Sequence, residues 1–132
     1  MALTGITPGA TAEGSVVVAP EHFASRVFAG APDVFGTPSL GALVETVAAS
    51  WLQRFIEPGQ MTVGTQIVTN HTGATPEGMT VTVKVEAAAV DGRRVDFTWT
   101  ARDDREEVGN GTHQRFVVDS ERFLQRLAAK RG

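Results

Sequence analysis

Twenty residues, "VFGTPSLGALVETVAASWLQ" (Val34–Gln53), decide how this chain folds. Leu40, Leu43, Val44, Val47, Trp51 and Phe55 recur at helical spacing, and Ala42, Ala48 and Ala49 widen the apolar surface. Thr37 is placed to cap the helix, with Pro38 at the favoured first position. The "EPGQ" that follows Ile56 carries Pro58 and Gly59, so the helix is expected to run to about Phe55. A helix apolar nearly all round asks to be enclosed by other structure. The stretch Val34–Gln53 holds one charged side chain, Glu45. Burying a lone carboxylate costs several kcal/mol, on the order of the penalty for any buried ion, so this one demands a reason.

The segments after the helix alternate with the period of strands. "MTVGTQIVTNH" (61–71) is β-like, and "ATPEG" (74–78) is a turn. In "MTVTVKVEAAAV" (79–90), Val81, Val83 and Val85 point one way, Thr82, Lys84 and Glu86 the other. Asp91-Gly92 is a hairpin signal, and Val95, Phe97, Trp99 and Ala101 share one face of the return strand. "DREEVGNG" (104–111) is expected to hold a second turn, "THQRFVVD" (112–119) a last strand, and "SERFLQRLAAKR" (120–131) a short C-terminal helix capped by Ser120. Ahead of the central helix, "GSVVVAP" (14–20) reads as a strand and 21–36 as a lid or irregular loop. Residues 1–13 are expected to be a flexible lead-in, and 14–132 one domain.

One long apolar helix followed by antiparallel hairpins is an α+β layout, with the sheet wrapped around the helix: the hot-dog fold. A single copy of that layout leaves a sheet edge and apolar surface open, so a homodimer is expected.

Composition narrows the function. Of 132 residues, 42% are apolar and 20% charged, ordinary for a globular protein, and the net charge is −3. Basic residues are scattered or gathered in the C-terminal "ERFLQRLAAKRG", so no nucleic-acid partner is expected. The absence of cysteine removes disulfides, thiolate metal sites and a cysteine nucleophile, and suits the cytoplasm. The first residues lack the charged and apolar regions of a signal peptide, and no apolar run suggests a membrane span. No two histidines have ligand spacing, so no metal is expected.

The candidate chemistry is thin but specific. Glu45 is either an interface or snorkelling carboxylate or one held in a cleft to act on water or substrate. His71 ends a strand with no other charged residue from Thr62 to Thr75, and could take or give a proton near neutral pH. His22 and His113 are weaker candidates. Thr37 lies at a helix mouth, where its hydroxyl and the first amides could face a cleft. Gly64 interrupts a strand, marking a bulge or a close approach to ligand. Arg115 is a surface strand residue or an anion partner.

Together, "VFGTP…LVE", "VGTQIVTNHTGATPEGMTV", "VDGRRVDFTWTARD" and "VGNGTHQRFVVD" resemble the fluoroacetyl-CoA thioesterase-like family of the hot-dog superfamily over roughly residues 14–126. The resemblance implies a catalytic set of Thr37, Glu45 and His71. It also matches Gly64 and Arg115 to residues around the substrate, and places Phe28 and Phe35 in a lid, with Ala31 and Pro32 between them. It implies an acyl-CoA thioesterase for a short-chain, fluoroacetyl-like acyl group, with CoA as part of the substrate and no separate cofactor. Two other readings fit a hot-dog domain: a hydratase or dehydratase on a CoA ester, and a non-catalytic acyl-CoA or small-ligand binder.

Overall fold

The computed structural model describes Leu3 and residues 5–132; Met1, Ala2 and Thr4 of the expected lead-in lie outside the described residues. The elements run β1 (Thr11–Val17), two 3₁₀ turns (Pro20–His22 and Ala24–Arg26), α1 (Thr37–Leu52), β2 (Gln60–His71), β3 (Thr80–Asp91), β4 (Arg94–Arg102), β5 (Glu107–Asp119) and α2 (Ser120–Arg131). The five strands form one antiparallel sheet in the order β1-β3-β4-β5-β2. β1 begins at Thr11, three residues before the expected Gly14, because Gly9 and Ala10 already hydrogen-bond to Ala87 and hand the chain onto β3.

The sheet curls around α1, which touches β1, β2, β3 and β5. Leu40, Val44, Val47, Ala48 and Leu52 of the helix are buried against Val81, Val83, Val85 and Ala87 of β3 and Val95, Phe97, Trp99 and Ala101 of β4. Each fully buried valine, leucine or phenylalanine among them is worth roughly 1.5–3 kcal/mol, so this seam holds the domain together. The rest of α1 is less enclosed than its composition suggests: Ala42, Glu45 and Thr46 are exposed and Leu43 half-buried. α1 stops at Leu52 rather than Phe55. There the backbone tightens, with Arg54 bonding to Trp51 and Phe55 to Leu52, and the Phe55 ring meets Trp51 edge-on at 4.9 Å.

The β3–β4 hairpin closes through Gly92 and Arg93, with Gly92 at φ +62°, the positive torsion a two-residue hairpin needs at its first central position. The "GNG" of 109–111 is strand, not turn. Gly109 and Gly111 are glycines for want of room: a Cβ on Gly111 would collide with the Val68 carbonyl, and one on Gly109 would lie 3.0 Å from Leu40 Cδ2. α2 is preceded by Asp119 rather than capped by Ser120, and buries none of its residues. Among the described residues no helix is long and apolar enough to cross a membrane.

Candidate active site

α1 enters the sheet at its N-terminal mouth. Gly36, not Thr37, is the N-cap, and no side chain caps the helix. Thr37 is the first helical residue, and its hydroxyl is engaged elsewhere: Oγ1 shares a 2.8 Å hydrogen bond with Nδ1 of His71, the last residue of β2. The other ring nitrogen of His71, Nε2, is buried and has no hydrogen-bond partner among the described residues. Burial pushes the His71 pKa below the ordinary imidazole value of 6.5, with the backbone of Gly73 pulling the other way. A neutral imidazole with one free nitrogen is the form that accepts a proton.

Thr37 and His71 line an open cavity of about 260 Å³, completed by Ala24, Val34, Phe35 and Gly36 from the lid and by 72–74 beyond β2. The lid is tied down. Ala24 and Gly36 exchange backbone bonds with Val34 and His22, Phe23 bridges Phe35, and Val34 bridges Pro76. Phe35 is fully buried, edge-on to His22 at 5.8 Å, so its ring is at once core and cavity wall. Phe28 is 72% exposed and touches no cavity at this mouth.

Glu45 stands apart from this pair. Eight residues of helix separate it from Thr37, a rise of about 12 Å. Its Oε1 accepts from Nη1 of Arg115 at 3.2 Å, and its side chain is 48% exposed. So the carboxylate is neither lone nor fully buried; its partner lies seventy residues downstream, on β5. Arg115 is the buried member. It donates from Nε to Thr62 Oγ1 (3.1 Å), from Nη2 to the Thr62 carbonyl (3.1 Å) and from Nη1 towards His113 Nε2 (3.3 Å). Gly64 faces the same cluster. A Cβ there would strike Glu45 Oε1 and come within 3.0 Å of Arg115 Nη1, so the glycine makes room for the carboxylate. The β2–β5 register shifts between Gly64 and Gln66, a bulge that leaves Thr65 without a partner across the ladder.

The expected site residues therefore fall into two groups in one chain: Thr37 with His71, and Glu45 with Gly64 and Arg115. The structure adds His113 and Thr62 to the second group. The signal for His113 lay in "THQR", because residues two apart on a strand share a face. Among the described residues no group of three acidic, histidine or cysteine side chains could hold a metal ion.

Residues 18–121 match the family model described as fluoroacetyl-CoA-specific thioesterase. The fluoroacetyl-CoA thioesterase of Streptantibioticus cattleyicolor is 40% identical over 106 residues, 80% of this chain and 76% of that protein. A solved structure of the fluoroacetyl-CoA thioesterase superposes with a TM-score of 0.92 at 35% identity, covering 96% of this chain and 98% of the other. A hot-dog-like protein from Thermanaerovibrio acidaminovorans, 20% identical, superposes at 0.89 over 95% and 93% of the two chains, a likeness of fold.

Proposed function

The chain belongs to the fluoroacetyl-CoA-specific thioesterase family, and from that premise we propose that it is an acyl-CoA thioesterase acting on short acyl groups through Thr37, Glu45 and His71. The observation that carries the assignment is the Thr37–His71 hydrogen bond at the wall of an open cavity, with His71 Nε2 unengaged.

Hydrolysis forms a C–O bond to the thioester carbonyl, breaks C–S and needs a proton for the departing thiolate. The uncapped first turn of α1 aims backbone amides and the positive end of the helix at the mouth, where a carbonyl oxygen gaining charge is stabilised; one such donor is commonly worth ~2.7–4 kcal/mol. His71, neutral and held by Thr37, moves the proton. Glu45, ion-paired with Arg115, supplies the carboxylate that acts on the carbonyl carbon directly or through water.

Within one chain Glu45 and His71 are too far apart to serve one carbonyl, since Thr37 beside His71 is about 12 Å up the helix. A homodimer resolves this. β2 is an edge strand, its outer side unpaired by any strand among the described residues. Ile67 and Gly41 meet beside Glu45 on the open face of α1, and Ile67 is 38% exposed. Two copies related by a two-fold axis through this face would bring Glu45 of one to Thr37 and His71 of the other.

Mixing inactive variants tests it. Dimers pairing a Glu45→Gln chain with a His71→Ala chain should recover one working site, hence about half the wild-type rate per mixed dimer. Both parental homodimers should stay inactive. No recovery on mixing, with subunit exchange verified, would put all three residues in one chain; a Glu45→Gln homodimer that releases CoA thiol at the wild-type rate would remove Glu45 from the chemistry.

A further inference from the structure

The residue next in line behind Glu45 and Arg115 is His113. It lies on β5, two residues before Arg115, and is 2% exposed. Its ring stacks on Phe97, centroids 6.2 Å apart and planes 23° from parallel. Nδ1 is 2.8 Å from the Gln66 carbonyl. A carbonyl oxygen only accepts, so Nδ1 carries the hydrogen. In the neutral ring Nε2 is then a lone pair, and it lies 3.3 Å from Nη1 of Arg115, a permanent donor. The same Nη1 reaches Glu45 at 3.2 Å. One guanidinium nitrogen is thus held between a histidine lone pair and a carboxylate. A protonated His113 would turn an N–H towards an N–H, and burial, joined by the Arg115 charge, keeps its pKa below 6.5.

Resting on the thioesterase reading, we propose that His113 is a positioning residue: as a neutral acceptor it fixes Arg115 Nη1, and through it aims the Glu45 carboxylate at the substrate. The other anchors of Arg115 both come from Thr62, on Nε and Nη2. They hold the far side of the guanidinium, and leave the nitrogen that grips Glu45 steered by His113. The Gln66 carbonyl that orients the imidazole follows directly on the bulge at Thr65, so the bulge, the histidine, the arginine and the carboxylate are one connected assembly.

The test is kinetic. His113→Phe keeps the stack on Phe97 and removes the acceptor. It should lower kcat for acyl-CoA hydrolysis by up to about 100-fold, the scale of an ångström's misplacement, with KM unchanged. His113→Gln, whose Oε1 can accept near the Nε2 position, should recover most of that loss. In a Glu45→Gln background His113→Phe should cost nothing further, because both changes remove one carboxylate's action. Equal losses in the two backgrounds, or a Gln variant no better than Phe, would overturn the proposal and leave His113 a packing residue. Should the Phe variant fail to fold, ¹⁵N imidazole shifts of the wild-type protein decide instead: the Nδ1–H neutral tautomer across the active pH range supports it, and the Nε2–H tautomer or the imidazolium overturns it. A Glu45→Gln chain of wild-type rate would undo the reading beneath, whatever His113 does.

Discussion

β2 and β3 are each twelve residues long and both carry Thr-Val near the start, Thr62-Val63 and Thr80-Val81. From there they diverge. β3 buries Val81, Val83, Val85 and Ala87 completely against α1, with polar or exposed residues between. β2 buries none of its residues, and the run Gly64–Val68 is exposed throughout. The difference is position in the sheet. β3 lies between β1 and β4, so its inner face meets only the core. β2 is an edge, and it carries Gly64 and His71. One strand is written for stability, the other for the candidate site. Apolar alternation, the usual strand signal, is what a functional edge strand gives up.

The widest separation should come from one substitution in each strand. His71→Ala removes the proposed proton carrier, and should lower kcat/KM by roughly 10²–10⁴-fold while leaving the melting temperature near that of wild type. Val83→Ala opens a cavity under α1, and should cost about 2 kcal/mol of stability with no change in rate per folded molecule. Melting curves alongside thiol-release assays check both; a Val83→Ala protein that loses rate as steeply as His71→Ala would erase the distinction.

A smaller effect is expected at Gly64. Its φ is not positive, so alanine there is not barred by torsion, but the added methyl meets the Glu45 carboxylate. Gly64→Ala should lower kcat on the order of tenfold to a hundredfold by moving that carboxylate. Gly64→Ala with full activity would show that the space is not needed.

The smallest effect concerns acid. His71 ends β2 and His113 sits opposite Ile67 of β2, and both have pKa values pushed below 6.5, chiefly by burial. Each therefore takes up its proton more readily in the unfolded chain. Stability should fall as the pH drops below 6.5 and rise again with pH through that window, with no further contribution from these groups above it. Denaturant midpoints from pH 7.5 to 5 measure it. The His71→Ala chain should show a shallower decline, and an unchanged slope would clear His71 of the effect.

Local signals were legible in the chain and distant pairings were not. The period of β3 and β4 and the Pro38 helix start depend on neighbouring residues, and each stands where the pattern put it, while the hairpin signalled by Asp91-Gly92 forms one residue on, through Gly92 and Arg93. The Thr37 cap did not materialise, because its hydroxyl bonds across to His71, thirty-four residues on. Glu45 looked lone because Arg115 is seventy residues away. Gly109 and Gly111 read as a turn, yet they are flattened against Val68, Leu40 and Trp99, contacts that only the folded sheet reveals. The two-cluster arrangement belongs to the same class: linear spacing gives the eight residues from Thr37 to Glu45, but not which side chains close the gap.

The bulge at Thr65 has a further meaning when the strand is counted. Side chains on a strand alternate faces, so residues of equal parity look the same way. Before the bulge the even residues, Thr62 and Gly64, face Arg115 and Glu45. After it the odd residues do so, with Ile67 against Gly41 and His71 against Thr37. Gly64 and His71 are seven apart, an odd interval that a regular strand would send to opposite faces. Thr65 is the inserted beat that changes the phase. Deleting that single residue would leave every catalytic candidate in the sequence and turn His71 to the outside of the sheet. The length of β2, as much as its composition, is therefore part of what this chain has to conserve.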